Sequence, residues 1–104
     1  MTPDEIETYL QVSYAMLITF EDTFLQDRAG TIHPDAWENA VPRLNRLLSA
    51  PGFRVAWKKW RSMFGNDFAH AIDQIVTQAR LSKWEEPSAS WASDIAEETR
   101  LSAK

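Results

Sequence analysis

Apolar side chains recur at every third or fourth position along most of this 104-residue sequence. That spacing places them on one face of an α-helix, whereas a half-buried β-strand would show alternation at every second position, which no segment does. The three glycines, Gly30, Gly52 and Gly65, each lie at a junction of two periodic segments. The sequence therefore predicts an all-α fold: a small bundle of four helices, with a short fifth helix as one of two interpretations of the C-terminal tail.

Capping and turn residues indicate where these helices begin and end. Thr2-Pro3-Asp4-Glu5 has the form of a capping box, so the first helix should begin there and end before Gly30. His33 is expected near the cap of the second helix, with Pro34 at its first helical position. The predicted helices cover about residues 3–28, 34–48, 52–63 and 67–82.

Residues 1–82 form the predicted bundle domain, and residues 83–104 form a linker-like tail that is poorer in apolar side chains. Trp91 and Ile95 are spaced four residues apart, so they would share one face of a short helix. The alternative is a disordered tail. In either case Trp84 and Trp91 are candidates for contact with a partner.

The first predicted helix carries more apolar surface than one packing face needs. Its main strip consists of Ile6, Leu10, Ser13, Leu17, Phe20 and Phe24, with Tyr9 and Met16 beside it. A second strip consists of Tyr14, Ile18 and Leu25. Two strips indicate that this helix is central in the bundle, or that one side of it meets another chain.

The net charge of −4 conceals an uneven distribution of charged residues. Residues 1–38 contain eight acidic side chains and one basic one, residues 39–66 contain six basic and no acidic ones, and residues 67–104 contain seven acidic and four basic ones. Either the acidic first helix lies against the basic third helix and neutralises it, or the basic segment is a surface for an anionic partner.

The strongest functional signal lies in the third predicted helix, where cations flank two tryptophans, Trp57 and Trp60. The cations are Arg54, Lys58, Lys59 and Arg61. Such a helix is typical of anionic membrane surfaces and of partner grooves, and stacking aromatics among cations also suit single-stranded nucleic acid. The alternative is that both tryptophans are core residues and the cations are merely solvated around them.

Glu21 is the one carboxylate placed between the two apolar strips of the first helix, where it should be half buried. Burial of a charge is costly unless hydrogen bonds or an opposite charge compensate it. Arg28, two turns further on the same side, is a candidate partner. We therefore expect Glu21 and Arg28 to form a buried polar anchor, with a ligand-binding or proton-handling role for Glu21 as the alternative.

Several functional classes lack their characteristic residues. The absence of cysteine excludes disulfides, thiolate metal sites and cysteine nucleophiles. His33 and His70 are the only histidines and belong to no Glu-x-x-His pair, and no serine lies in a Gly-x-Ser-x-Gly elbow. The sequence thus predicts no enzyme, no catalytic residue, no cofactor and no metal, and the acidic net charge argues against a nucleic-acid partner.

Two segments carry a resemblance to a known family: residues 20–32 (FEDTFLQDRAGTI) followed by Trp37, and residues 47–52 (LLSAPG) followed by Trp57, Phe64 and Phe68. The chain, over about residues 2–76, resembles an uncharacterised proteobacterial family with an N-terminal membrane helix and a small C-terminal helical domain. The resemblance implies no activity and no catalytic residues. Family members usually carry the membrane helix before the position of Thr2, where this sequence has none, so we expect a shortened member, an isolated domain, or a form that works away from the membrane.

The sequence as a whole predicts a non-catalytic helical domain for protein–protein interaction or assembly, with a protein partner or self-association. The first alternative is a peripheral membrane-surface module that uses the basic third helix, and the second is a small-ligand sensor or enzyme built around Glu21. The expected location is the cytoplasm, with contact to the inner membrane in the first alternative.

Overall fold

The computed structural model describes residues 1–81 and 87–103, and these residues contain five α-helices and no strand. The helices are α1 (Pro3–Ala29), α2 (Ala36–Ser49), α3 (Pro51–Trp60), α4 (Asn66–Leu81) and α5 (Trp91–Ser102). Short 3₁₀ helices follow α3 at Arg61–Met63 and precede α5 at Pro87–Ser90. The predicted all-α fold with a short C-terminal helix is confirmed.

Both ends of α1 are stabilised by the residues that predicted them. The Thr2 side chain accepts a hydrogen bond from the Glu5 N–H, and the Glu5 carboxylate accepts one from the Thr2 N–H, each at 3.2 Å. Gly30 ends the helix in the left-handed region at φ 71°, where a glycine avoids the steric cost of a Cβ. These local interactions allow α1 to extend over 27 residues.

The start of α2 differs from the prediction. The helix begins at Ala36 rather than at Pro34, because Ala36 N donates to His33 O and closes a tight turn over the intervening residues. Asp35 N also donates to His33 Nδ1 at 3.2 Å. The first helical hydrogen bond is accepted by Asp35 O, so His33 belongs to the turn and not to the helix cap.

The corner between α2 and α3 contains no linker. Ala50 is at once the last residue flanking α2 and the first residue flanking α3. Arg54 Nη1 donates to Leu48 O at 2.8 Å and to Ser49 O at 3.0 Å. These carbonyls lack helical partners at the end of α2, so the arginine closes the corner with charge-assisted hydrogen bonds.

The core lies where α2 and α4 pack together and where α1 and α3 cover them. Helical spacing places five apolar residues on one face of α4, and all five are buried: Phe68, Ile72, Ile75, Val76 and Ala79. Helical spacing from Trp60 would place Met63 on the apolar face of α3, but Met63 is 61% exposed. The 3₁₀ segment has about three residues per turn instead of 3.6, which rotates Met63 out of register with the apolar face.

None of the helices within residues 1–81 and 87–103 combines the length and the apolar character that crossing a membrane requires.

Candidate functional site

The two tryptophans of the basic segment are core residues. Trp57 is 2% exposed, and its indole Nε1 donates to Asp73 Oδ1 on α4 at 2.9 Å. Trp60 is half buried, and its Nε1 donates to Leu10 O on α1 at 3.0 Å. The Trp60 ring also packs on Tyr14, with 4.8 Å between ring centroids. The aromatic part of the sequence signal is thus used for packing, and Tyr14 from the second strip of α1 joins the same cluster.

The four cations of the segment have different environments. Arg54 closes the α2–α3 corner, and Arg61 donates to Asp73 Oδ2 through Nε at 3.0 Å and Nη2 at 2.7 Å. The Arg61 guanidinium holds the pKa of Asp73 below its usual range, with a further lowering from the Trp57 N–H, while partial burial acts in the opposite direction. Lys58 and Lys59 are exposed.

The acidic first helix does not cover these bases. Among the residues that the structure describes, no α1 carboxylate forms an ion pair with an α3 cation, although the two helices are in contact. Lys58 and Lys59 have no hydrogen bond or ion pair with any described residue. Among the described residues, neutralisation of the α3 cations by an ion pair is therefore limited to Arg61 and Asp73, and the two lysines remain available.

Glu21 and Arg28 do not form the expected buried pair. The Glu21 carboxylate is half buried and accepts a hydrogen bond from the Gly65 N–H at 3.0 Å, which joins α1 to the start of α4. Arg28 is exposed and pairs with Asp67 instead, because Asp67 at the start of α4 lies beside the end of α1. Glu21 is thus a polar anchor to backbone, and Arg28 holds a separate surface contact.

The first turns of α1 present apolar side chains to solvent, which the sequence did not predict. Ile6 was predicted on the main apolar strip and Tyr9 beside it, yet both are exposed, and so is the neighbouring Val12. The first buried residue of α1 is Ser13: α3 contacts the preceding turns at Tyr9 and Leu10 but does not bury them. No local feature of the sequence reports how closely α3 approaches α1.

These residues and α3 enclose an apolar groove of about 340 Å³, called here the α1–α3 groove. Its lining consists of Met1, Ile6, Tyr9, Leu10, Gly52, Val55, Ala56 and Lys59. Lys59 is the single charged residue of this lining. Gly52 allows the close packing of Tyr9 at one end, since a Cβ on Gly52 would lie 3.3 Å from the Tyr9 hydroxyl oxygen.

The fifth helix exposes every one of its residues to solvent. Trp91 is 65% exposed, and Ile95 and Leu101 are exposed as well. Trp91 was predicted to contact a partner, and on α5 its side chain is accessible to one. Trp84, predicted with it, lies outside the described residues.

A second concavity of about 200 Å³ lies between α3 and α4 and is called here the α3–α4 pocket. Among the residues that the structure describes, its cationic lining consists of Arg54, Lys58, Arg61 and Arg80, and Asp73 is its one acidic lining residue. Arg80 was missed by the sequence analysis because it lies far along the chain from the basic segment. Its only signal is its helical spacing from Asp73, which places both on one face of α4.

Within the described part of the chain, no three histidine, aspartate or glutamate side chains are grouped as metal ligands would be. Comparisons with protein families, with curated proteins and with solved structures find no match. The resemblance to a proteobacterial family therefore stays a prediction.

Proposed function

We propose that this protein is a non-catalytic assembly domain, in which α5 of one copy binds in the α1–α3 groove of a second copy. The observation that carries the proposal is the coexistence of an open apolar groove and an exposed amphipathic helix on one chain. An amphipathic helix in an apolar groove is a recurrent mode of protein recognition.

The residue pattern of α5 matches the groove in polarity and in charge. Trp91, Ile95 and Glu98 follow the spacing i, i+4, i+7 and so share one face of the helix. Two apolar side chains would enter the groove, and the glutamate would lie near Lys59 at its edge. A tryptophan anchor in an apolar pocket is the arrangement that most often dominates binding energy.

Net charge on the two elements supports the same pairing. α5 contains three acidic residues, Asp94, Glu97 and Glu98, and one base, Arg100. The last turn of α3 contains Lys58 and Lys59, which have no ion pair with a described residue. Opposite charges steer association and help to fix the register of a bound helix.

A second copy is the favoured occupant because symmetry doubles the contact. If α5 of each protomer binds the groove of the other, the dimer is closed by a twofold axis and contains two identical helix–groove contacts. A single 12-residue helix offers little area by itself, whereas two contacts approach the size of a standard interface.

The test is sedimentation equilibrium over a wide range of protein concentrations. The wild-type chain should show a reversible monomer–dimer equilibrium, which Trp91→Ala should weaken by about 1000-fold, because a tryptophan hot spot is worth about 2 kcal/mol and the closed dimer contains two of them. Arg100→Ala truncates a side chain nine residues after Trp91, on the opposite face of the same helix, and should not weaken the equilibrium. A wild-type chain that stays monomeric at all concentrations overturns the proposal.

Complementary variants test the reciprocal geometry. Val55→Asp places a charge in the groove, and its control Met63→Asp places the same charge at another exposed apolar position. Val55→Asp and Trp91→Ala should each be monomeric at concentrations where the wild type dimerises. Their mixture should form a heterodimer that is weaker than the wild-type dimer, since one intact groove then meets one intact α5. Failure of the mixture to associate, with Val55→Asp and Met63→Asp equally impaired, contradicts the proposal.

The other expectations stay alternatives of lesser support. The membrane-surface alternative has less support because Trp57 and Trp60 pack inside the protein, so they are not exposed for insertion into a membrane. The sensor or enzyme alternative has less support because the Glu21 carboxylate already accepts a hydrogen bond from the Gly65 N–H. The cytoplasmic location and the inner-membrane contact remain predictions.

A further inference from the structure

We propose that the α3–α4 pocket is a binding site for a phosphate group. It lies on a different side of α3 from the α1–α3 groove: Lys58 lines the pocket, whereas its neighbour Lys59 lines the groove. The proposal is therefore independent of the assembly function and survives if that function fails.

Helical spacing brings the cations of the pocket together. Arg54, Lys58 and Arg61 follow the spacing i, i+4, i+7, so they form one ridge along α3 and the 3₁₀ turn after it. Arg80 faces them from α4. The pocket is thus cationic on both of its helical walls, in a chain whose net charge is −4.

The one carboxylate that the described residues contribute to the pocket is already compensated. Asp73 accepts two hydrogen bonds on Oδ2 from Arg61, and on Oδ1 it accepts one from the Trp57 indole and a longer one from Arg61 Nε at 3.3 Å. Subtracting this ion pair leaves the charges of three cations, Arg54, Lys58 and Arg80. Neither Lys58 nor Arg80 has a hydrogen bond or ion pair with a residue of the described ranges.

Two of the three pocket arginines, Arg54 and Arg61, are held in place but retain unused donors. Arg54 uses Nη1 for the α2 carbonyls, which leaves Nε and Nη2 without an acceptor among residues 1–81 and 87–103. Arg61 uses Nε and Nη2 for Asp73, which leaves Nη1. Since their positions are fixed before a ligand arrives, little side-chain entropy is lost when they bind one.

Phosphate is the anion that best fits this set of groups. A carboxylate offers two oxygens in one plane, whereas a phosphate group directs oxygens to several sides and carries more charge. Guanidinium groups bind phosphate oxygens with bidentate geometry, and lysine contributes as a point charge. A pocket of about 200 Å³ has room for a phosphate group with a small substituent.

The test is a titration of the full chain with sodium phosphate, followed by amide ¹H–¹⁵N spectra, against sodium chloride at equal ionic strength. Phosphate should shift the amides around Lys58, Thr77 and Arg80 saturably, whereas chloride should not. Lys58→Gln and Arg80→Gln should each weaken binding by roughly fivefold, because each removes a charged donor at a solvent-open site. Lys59→Gln is the matched control and should bind phosphate as the wild type does.

Two further probes distinguish a soluble phosphate-bearing ligand from a lipid headgroup. O-phosphoserine represents a soluble phosphomonoester, and phosphatidylcholine vesicles with added phosphatidic acid represent a lipid headgroup. Binding of free phosphate or phosphoserine without vesicle binding assigns a soluble ligand, and vesicle binding lost in Lys58→Gln but kept in Lys59→Gln assigns a lipid. The proposal is overturned if no probe binds, or if all probes bind the Lys58→Gln, Arg80→Gln and Lys59→Gln variants equally.

Discussion

Asp73 contacts the buried Trp57 indole and the exposed Arg61 guanidinium. Replacing Asp73 tests how much each of these two contacts contributes to the free energy of unfolding. Asp73→Ala removes the acceptor of the Trp57 indole N–H and leaves that donor buried without a partner, at a cost of about 1–3 kcal/mol. The same change breaks the ion pair with Arg61, whose two side chains are each 44% exposed, so this loss contributes only about 0–1 kcal/mol. The sum is about 2 kcal/mol, most of it from the indole.

Two further variants separate these contributions. Arg61→Gln removes the ion pair but leaves the indole bond, so it should cost less than about 1 kcal/mol. Asp73→Asn keeps an oxygen that can accept from Trp57 and should lie between the other two. Urea unfolding followed by far-ultraviolet circular dichroism measures all three, and a loss of about 2 kcal/mol lowers the midpoint by about 1 M urea for a domain of this size. If Arg61→Gln is as damaging as Asp73→Ala, the ion pair dominates and the reasoning is refuted.

The pH dependence of stability gives an independent check on Asp73. Its pKa is lower in the folded chain than in the unfolded chain, mainly because of the hydrogen bond from Arg61. The stabilisation it provides is therefore complete above the unfolded carboxyl pKa of about 3.9 and is lost as the pH falls through the folded value. The difference in unfolding free energy between the wild type and Asp73→Asn should shrink over that acidic range and stay constant near neutrality.

Two other substitutions test backbone features of the fold, both by urea unfolding. Gly30→Ala should cost about 1 kcal/mol because of the positive φ alone, since nothing lies within 4 Å of the added Cβ. Gly65→Ala, which has no positive φ, is the control and should cost less; equal losses would contradict the argument. Glu21→Ala should cost about 1 kcal/mol by freeing the Gly65 N–H, and Glu21→Gln, which retains an acceptor, should restore most of that loss. A Glu21→Gln variant as unstable as Glu21→Ala would mean that the carboxylate charge matters more than the hydrogen bond.

The features of the fold that could be predicted are determined by residues close to one another in the sequence. The capping box at Thr2, the glycine at position 30 and the apolar face of α4 are all determined within a few turns of helix, so the pattern alone indicates them. The end of α3 was less predictable because a change from 3.6 to about three residues per turn displaced Met63 from the apolar face.

The candidate sites depend on contacts between distant segments and were only half predicted. Lys58 and Lys59 were identified from the basic segment, but the sequence could not show that they line different concavities. Arg80 and the exposed turns of α1 required knowledge of which helices meet and how closely they approach. Trp91 was identified from the tail, although its degree of exposure followed only from the structure.

Inserted residues should disrupt the fold more at the α2–α3 corner than in the turn between α1 and α2. Ala50 flanks both helices and Arg54 joins their backbones, so even one inserted residue there would turn one helix relative to the other and break the bonds to Leu48 and Ser49. The exposed turn between Gly30 and Asp35 carries no such bridge to a second helix. Peptide tags, fluorescent labels or a permuted pair of termini therefore belong in that turn, where extra residues can loop into solvent without changing how the helices are joined.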